Sequence, residues 1–318
     1  MIRRRNFSAW RGRIGACLLA FAGFFCWPAQ AGSLLLWEVT GGAAPVWLYG
    51  SIHVCRPECF PLPEAVAARF SKAAVLVVEI DATRPDVGDA LLRDSPGRGC
   101  LKAVLSKAEW KRLLRQLEPL QMPETALESL SPTLANLMVS LAVAGQAGLS
   151  PAYGTDLYFI AQAQRGGKRL VELETVAQQL KALNAGSPRE ALSSLRSTMK
   201  AANDGSLKTM LEELVSAWQA GDAKRLSEVL SKTEEADPAS ARWFKELFER
   251  RNRRMSESIA GLAREGEPVF VVVGGGHLVG RNSIPELLMR KGFKVRQLSS
   301  SEEAEQLETV GQGRMTGE

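Results

Sequence analysis

Histidine is almost missing from this 318-residue chain, which has two, His53 and His277. Imidazole is the side chain that changes charge near neutral pH and the commonest neutral metal ligand. Any chemistry of that kind must therefore pass through these two positions. Cysteine is scarce as well. Of five, Cys17 and Cys26 lie in the first 31 residues, leaving Cys55, Cys59 and Cys100. A zinc site built on His53, Cys55 and Cys59 lacks a fourth ligand at recognisable spacing. The segment Cys55-Arg-Pro-Glu-Cys59 can instead close a small disulfide loop beside His53, which leaves Cys100 over. After residue 31 no apolar run reaches the roughly 20 residues a membrane-spanning helix needs. That excludes a permanent membrane anchor in the body of the chain.

Net charge is a further absence. The chain is formally +5, but its first 31 residues carry five arginines and no acid, so the remainder is close to neutral. No electrostatic footprint for nucleic acid is left. Those 31 residues read as a secretory signal peptide: basic MIRRRNFSAWRGR, apolar IGACLLAFAGFFCW, then Ala29-Gln30-Ala31 as a small-residue cleavage site. The expected location is the periplasm, or outside the cell, after cleavage near Ala31.

The rest divides into three zones. In the first, LLLWEV (34–39) and VWLYGSI (46–52) flank Gly41-Gly42 as a hairpin, PLPEAVAARFSKA starts a helix with proline in its first turn, and AVLVVEID reads as a strand buried on both faces. A Gly/Pro/Asp-rich loop is expected over 82–100. Residues 101–265 show apolar spacings of three and four and form a large helical insert, interrupted only by RLVELE (169–174) as a short strand. Residues 267–298 then repeat the first zone: strand PVFVVV, a loop, helix PELLMRKG and strand FKVRQL.

Both histidines follow an apolar strand within Gly-x-x-His, as Gly50-Ser51-Ile52-His53 and Gly274-Gly275-Gly276-His277. The fold class expected is α/β (α+β), with a central sheet assembled from an N-terminal and a C-terminal β–GxxH–α–β unit around the insert. One domain spans 32–298, and a polar tail, 299–318, is expected to be disordered. In open α/β sheets ligands sit at the carboxyl ends of strands, which is where both histidines would lie. One such histidine alone is by default a satisfied turn residue; two in matching contexts, with none elsewhere, reverse that reading. Glu79 ends an otherwise apolar strand, where a carboxylate must be paired, hydrogen-bonded, metal-bound or reaching solvent. Glu174 closes the other short strand in the same manner. Arg251 and Asn252 lie in ERRNRR, for which a solvated basic helix face is the default.

The motifs GSIH, VVEID, YGTDLYF, LET-x-x-x-Q (173–179), the RN pair at 251–252 and VVVGGGHLVG-x-x-S-I-P-x-L-L-x-x-x-G run in an order that resembles the TraB/PrgY/GumN family, which includes the Tiki metalloproteases. Ser51 stands where threonine is commoner, and Arg250 where an acid is usual. The resemblance implies an active centre of His53, His277 and Glu79, linked in the Tiki branch to divalent-metal-dependent peptide hydrolysis supported by manganese or cobalt. It makes Gly50, Ser51, Asp156, Glu174, Arg251, Asn252 and Gly274 pocket candidates. Two imidazoles with a carboxylate suit manganese, cobalt or zinc, and the expected substrate is a peptide or protein. Glu79 is either the third ligand or the general base, with Glu174 or Asp156 as ligand in the latter case. Two other readings stand beside this one: an esterase-like hydrolase using the histidines as acid and base without metal, and a non-catalytic protein that sequesters a peptide or glycan.

Overall fold

The computed structural model describes residues 33–93, 99, 101–234 and 238–300. The expected leader, Cys100 and the tail beyond Ser300 lie outside the described residues. The predicted hairpin is present. β1 (Ser33–Thr40) runs antiparallel to β2 (Val46–Ser51), with Leu36 opposite Tyr49 and Val39 opposite Val46. α1 (Glu64–Lys72) follows, and then β3 (Val75–Val78), whose four residues are all buried. The loop expected over 82–100 instead contains α2 (Pro85–Arg93). Proline fits a first helical turn and Asp86 suits its positive end, while Val87 and Ala90 are buried; the loop-like composition masked a short amphipathic helix.

The insert continues with α3 (Leu101–Val104), α4 (Lys107–Leu117), α5 (Glu124–Glu128), α6 (Pro132–Gln146) and α7 (Thr155–Arg165). A short strand, β4 (Arg169–Glu172), comes next. Then follow α8 (Val176–Leu183), α9 (Pro188–Asp204), α10 (Ser206–Gln219), α11 (Ala223–Glu234), α12 (Pro238–Phe244) and, after a π-helical turn at Lys245–Glu249, α13 (Arg250–Glu265). Ser106, Thr175 and Ser187 each close a capping box at a helix start. β5 (Val269–Gly274), α14 (Ile284–Arg290) and β6 (Lys294–Ser299) are the last elements among the described residues. Ser299, expected to open the tail, ends β6 and pairs with Ser33.

The six strands form one sheet in the order β4-β3-β5-β2-β1-β6. β4, β3, β5 and β2 are parallel neighbours, so their carboxyl ends share one edge of the sheet. The two GxxH units do meet: β2 and β5 lie side by side, Gly50 beside Val273 and Ser51 beside Gly274. Their return connections differ. β2 returns through α1 to β3, one strand beyond β5, whereas β5 returns through α14 to β6, beyond both β2 and β1. The antiparallel β1 already occupies the place next to β2, so the repeat is local to the strand–GxxH step.

The core explains why β2, β3 and β5 read as unbroken apolar runs: every residue of β2 and β3, and all of β5 but Gly274, is buried. Phe159 of α7 packs against Tyr49 and Phe270 of the sheet with ring centroids 5.0 and 5.1 Å apart, and against Phe70 of α1 at 5.0 Å. Trp218 of α10 donates its indole N–H to the Gly50 carbonyl of β2 at 2.8 Å. A second apolar cluster, with Leu113, Leu117, Val139 and Leu195 at its centre, lies inside the insert. The insert is therefore a packed body and not a set of loops.

A candidate active site at the carboxyl ends of adjacent strands

The residues singled out from the sequence gather where β2, β5 and β3 end. β2 stops at Ser51 and β5 at Gly274, which leaves His53 and His277 two and three residues past neighbouring strand ends. Glu79 follows β3, and Glu174 follows β4. Beyond the strands the backbone ladder carries on, Leu173 N–H donating to the Val78 carbonyl at 2.8 Å and Glu174 N–H to that of Glu79 at 2.9 Å. Two acidic side chains are thereby held next to each other.

Arg251, from the first turn of α13, lies between them. Its Nη2 is 2.5 Å from Glu79 Oε2 and 2.6 Å from Glu174 Oε2, its Nε donates to Glu174 at 2.8 Å, and Nη1 donates to the Leu247 carbonyl at 3.1 Å. The side chains of Glu174, Arg251 and Glu79 are 0%, 6% and 13% exposed. A planar guanidinium between two carboxylates can satisfy both charges out of water. The solvated basic face expected of ERRNRR holds for Arg250, Arg253 and Arg254 but not for Arg251. Arg250, where an acid is usual, pairs with Glu246 at 2.9 Å.

The two imidazoles are anchored by the same nitrogen and in different media. His277 is 3% exposed, packs against the Phe248 ring at 5.1 Å and has Nδ1 2.6 Å from Asn252 Oδ1. Asn252 in turn donates its amide to the Asn282 carbonyl at 2.9 Å. That second bond orients the amide, so its oxygen faces His277 and Nδ1 must carry the hydrogen. Nε2 is left with a lone pair, 3.6 Å from Glu79 Oε1. Two acceptors facing each other are favourable only with a proton or cation between them. His53 has its side chain 70% exposed, with Nδ1 3.3 Å from Asp156 Oδ2. Thr155 sets that pair: its Oγ1 accepts from Ile52 N–H at 3.1 Å and its own N–H donates to the Ile52 carbonyl at 3.0 Å, tying the end of β2 to the start of α7. Gly154 is needed there, because a Cβ would stand 2.7 Å from the His53 carbonyl oxygen.

Gly274 marks the point of convergence. A Cβ on it would lie 3.4 Å from Glu79 Oε1, 3.7 Å from His53 Nε2 and 3.8 Å from His277 Cδ2. Its N–H donates to Glu79 Oε1 at 2.6 Å, and Gln179 of α8 donates to Oε2 at 3.3 Å. Burial alone would raise the Glu79 carboxyl, but His277 and Arg251, with His53 and the Gly274 N–H, outweigh it and hold the group down at about 2. Burial lowers His277 to about 4, with Arg251 and His53 acting in the same direction against Glu79. The Asp156 hydrogen bond raises His53 towards about 9. With so much of that ring in water, solvent screens part of this rise.

Two imidazole nitrogens and a carboxylate oxygen turned towards one small space are donors that fit a divalent cation, and both rings have the oxygen-held Nδ1–H usual behind metal-ligating histidines. As the side chains stand, no group of three or more His, Cys, Asp or Glu among the described residues is placed to hold a metal ion. Gly50 and Ser51 underlie the site from β2. A cavity of about 910 Å³ lies elsewhere, in the insert among Leu134, Asn136, Leu180 and Trp243, and neither histidine lines it. Thr155, Gln179 and Phe248 were not singled out from the sequence. The first two lie inside the YGTDLYF and LET-x-x-x-Q motifs, and Phe248 gave no signal. Cys55 and Cys59 are joined by a disulfide in the loop after His53.

A family model described as the TraB/PrgY/gumN family matches residues 35–297. Among curated proteins, a "Metalloprotease TIKI homolog" of Amphimedon queenslandica is 22% identical over 316 residues, covering 84% of this chain and 62% of that protein. "Metalloprotease TIKI1" of Danio rerio is 23% identical over 298 residues, 79% of this chain and 60% of the relative. "Uncharacterized protein YbaP" of Escherichia coli (strain K12) is 27% identical over 162 residues, 49% of this chain and 60% of that protein. The chain thus spans about 60% of the length of the relatives it matches. No solved structure matches it significantly.

Proposed function

Since the chain belongs to the TraB/PrgY/gumN family, we propose that it is a metal-dependent hydrolase that cleaves peptide bonds in the periplasm, as one domain over residues 32–298 that acts after loss of the leader. The observation that carries this reading is the convergence of His53 Nε2, Glu79 Oε1 and the His277 ring around Gly274. The matched relatives named metalloproteases make peptide or protein the substrate class of choice.

His53, His277 and Glu79 would hold the ion, whether manganese, cobalt or zinc. When bound, such an ion polarises a carbonyl and lowers the pKa of a water. The remaining work falls to the protein. Asn252 presents His277 with its Nε2 lone pair free, and Asp156 holds Nδ1 of His53, so that His53 Nε2 is the nitrogen that would face the ion once its proton has left. Arg251 keeps Glu79 ionised and directs its Oε1 inward by occupying Oε2. Glu79 is then able to take a proton from water if it is not itself a ligand. Glu174 is turned wholly to Arg251 and Arg254, which favours it as a support over a ligand.

One observation favours a second reading, acid–base hydrolysis without metal. The two histidines are displaced in opposite directions, one upward by Asp156 and one downward by burial, and environments that push two groups apart assign an acid and a base. Elemental analysis decides. The purified protein, incubated with manganese, cobalt and zinc in turn, is expected to retain about one ion per chain, and His53→Ala or His277→Ala to lose it. Chelation should then abolish hydrolysis of a mixed peptide library. Hydrolysis indifferent to chelator, with no ion retained, would establish the second reading.

A further inference from the structure

Ser51 is 4% exposed and its hydroxyl oxygen has no hydrogen-bond partner among the described residues. A buried hydroxyl without a partner in a native protein calls for an explanation, most simply a water or ligand at that place. The neighbourhood says which. Ser51 is in register with Gly274 on the adjacent strand, and residues paired in register point to the same face of a sheet. That face is the one where Tyr49 and Phe270 meet Phe159 of α7, and where the Cβ direction of Gly274 leads to Glu79 Oε1 and His53 Nε2. Neighbouring strands lie about 4.8 Å apart, so the hydroxyl stands one strand spacing from the point of convergence. Asp156 Oδ1, on the carboxylate whose Oδ2 faces His53 Nδ1, is likewise buried and unpartnered.

We propose that Ser51 is a further catalytic residue whose hydroxyl seats the water that attacks the substrate carbonyl. This rests on the hydrolase reading above. The hydroxyl hydrogen-bonds the water and leaves one water O–H for the Glu79 carboxylate and an oxygen lone pair for the carbonyl carbon. With Glu79 acting as base and not as ligand, that O–H bond breaks as the new C–O bond forms, and its proton passes to Glu79 and from there to the departing amine as the C–N bond breaks. Ser51 neither gains nor loses an atom. Threonine preserves the hydroxyl, and alanine removes it with almost no change of volume.

The test is a crystal structure of the full chain and of Ser51→Ala, with kinetics of wild type, Ser51→Ala and Ser51→Thr on a mixed peptide library with divalent ion present. We expect an ordered water within hydrogen-bond distance of Ser51 Oγ, absent from Ser51→Ala. With unchanged melting temperature, Ser51→Ala should lower kcat about 10- to 100-fold, the effect of one hydrogen bond to a reacting group. KM should stay within about threefold, and Ser51→Thr should restore the rate. A hydroxyl bonded only to protein, Ser51→Ala at the wild-type rate, or labelling of Ser51 by a fluorophosphonate, which would make it a nucleophile, each overturns the proposal while leaving hydrolysis standing. A wild type that cleaves nothing and binds no ion removes the hydrolase reading, and the catalytic role with it.

Discussion

Asn252 and His277, 25 residues apart, share a 2.6 Å hydrogen bond in which the asparagine oxygen receives the Nδ1 proton of a ring only 3% exposed. Asn252→Ala removes the acceptor that holds that proton among the described residues, leaving the ring free to adopt the other tautomer. Groups of this kind behind a ligand are worth about 10- to 100-fold in metal affinity. Metal affinity measured by competition with a chelating dye should fall by that factor in Asn252→Ala. Asn252→Asp, which keeps the acceptor oxygen, should recover part of it. Unaltered affinity in the alanine variant would show that the tautomer is held by something else.

Gly274→Ala separates site from fold. The backbone there, φ −51 and ψ 137, is open to alanine, and the added methyl makes only ordinary contacts of 3.4 Å and longer. The expected outcome is a melting temperature within a degree or two of wild type together with loss of ion binding and hydrolysis, because the methyl fills the space the three groups face. A stable variant that retains the ion would place the metal elsewhere.

Removing Arg251 should be costly in another way. With Arg251→Ala, Glu174 stays fully buried with only the half-exposed Arg254 at 3.3 Å, and Glu79 loses its 2.5 Å partner. Breaking a buried ion pair from one side costs about 3–5 kcal/mol, readable as a shifted urea midpoint. Double replacement with Glu174→Gln should return part of the loss. If the single variant unfolds at the wild-type urea concentration, the triad has no structural weight.

For the metal-free chain the titrations set a pH profile of stability. Glu79 is held at about 2, below its ordinary 4.5, so its contribution is complete above pH 4.5 and is lost as pH falls towards 2. His277 is depressed to about 4 from 6.5. Between those values the unfolded chain takes a proton that the folded chain refuses, and stability falls as pH drops through the window. His53, raised towards 9, acts oppositely: its contribution is full below pH 6.5 and fades as pH rises through 9, weakened by its exposure. Thermal melts from pH 4 to 9 should therefore peak near neutrality and fall on the acid side below 6.5. In His277→Gln the limb between 6.5 and 4 should flatten, and an unchanged limb would assign it to other groups.

The Cys55–Cys59 disulfide closes a ring of five residues, for which chain entropy allows about 2 kcal/mol. Cys55 also exchanges backbone hydrogen bonds with Ser150, at 3.1 and 2.7 Å, ahead of the α7 start that holds His53. The double serine variant is expected to lose about that stability, measured by denaturant midpoint under non-reducing conditions. The loss should vanish when the wild type is fully reduced. Equal midpoints for oxidised wild type and double variant would mean that the bond constrains nothing.

Much of the architecture was legible because burial writes itself into local composition. Two apolar strands ending in Gly-x-x-His, and a strand ending in Glu79, announce a two-face-buried sheet edge, and helical spacing marked the insert. Even there, α2 hid behind proline, glycine and aspartate, since a one-turn apolar stripe carries too few residues to outweigh loop composition. What the sequence by itself determined was which residues end the strands and therefore which side chains reach the sheet's carboxyl edge. Arg251 shows what it left open. Its neighbours point to a solvated face, and only the placement of the first turn of α13 beside the residues that follow β3 and β4 turns that one arginine inward between two carboxylates 77 and 172 positions away. The same holds for the protonation of the histidines. Each motif is a glycine, two residues and a ring, yet Asn252 in a buried setting and Asp156 at an open helix start drive the two rings in opposite directions. A side chain's charge depends on the water and partners around it, and those are supplied by segments brought together only when the chain has folded.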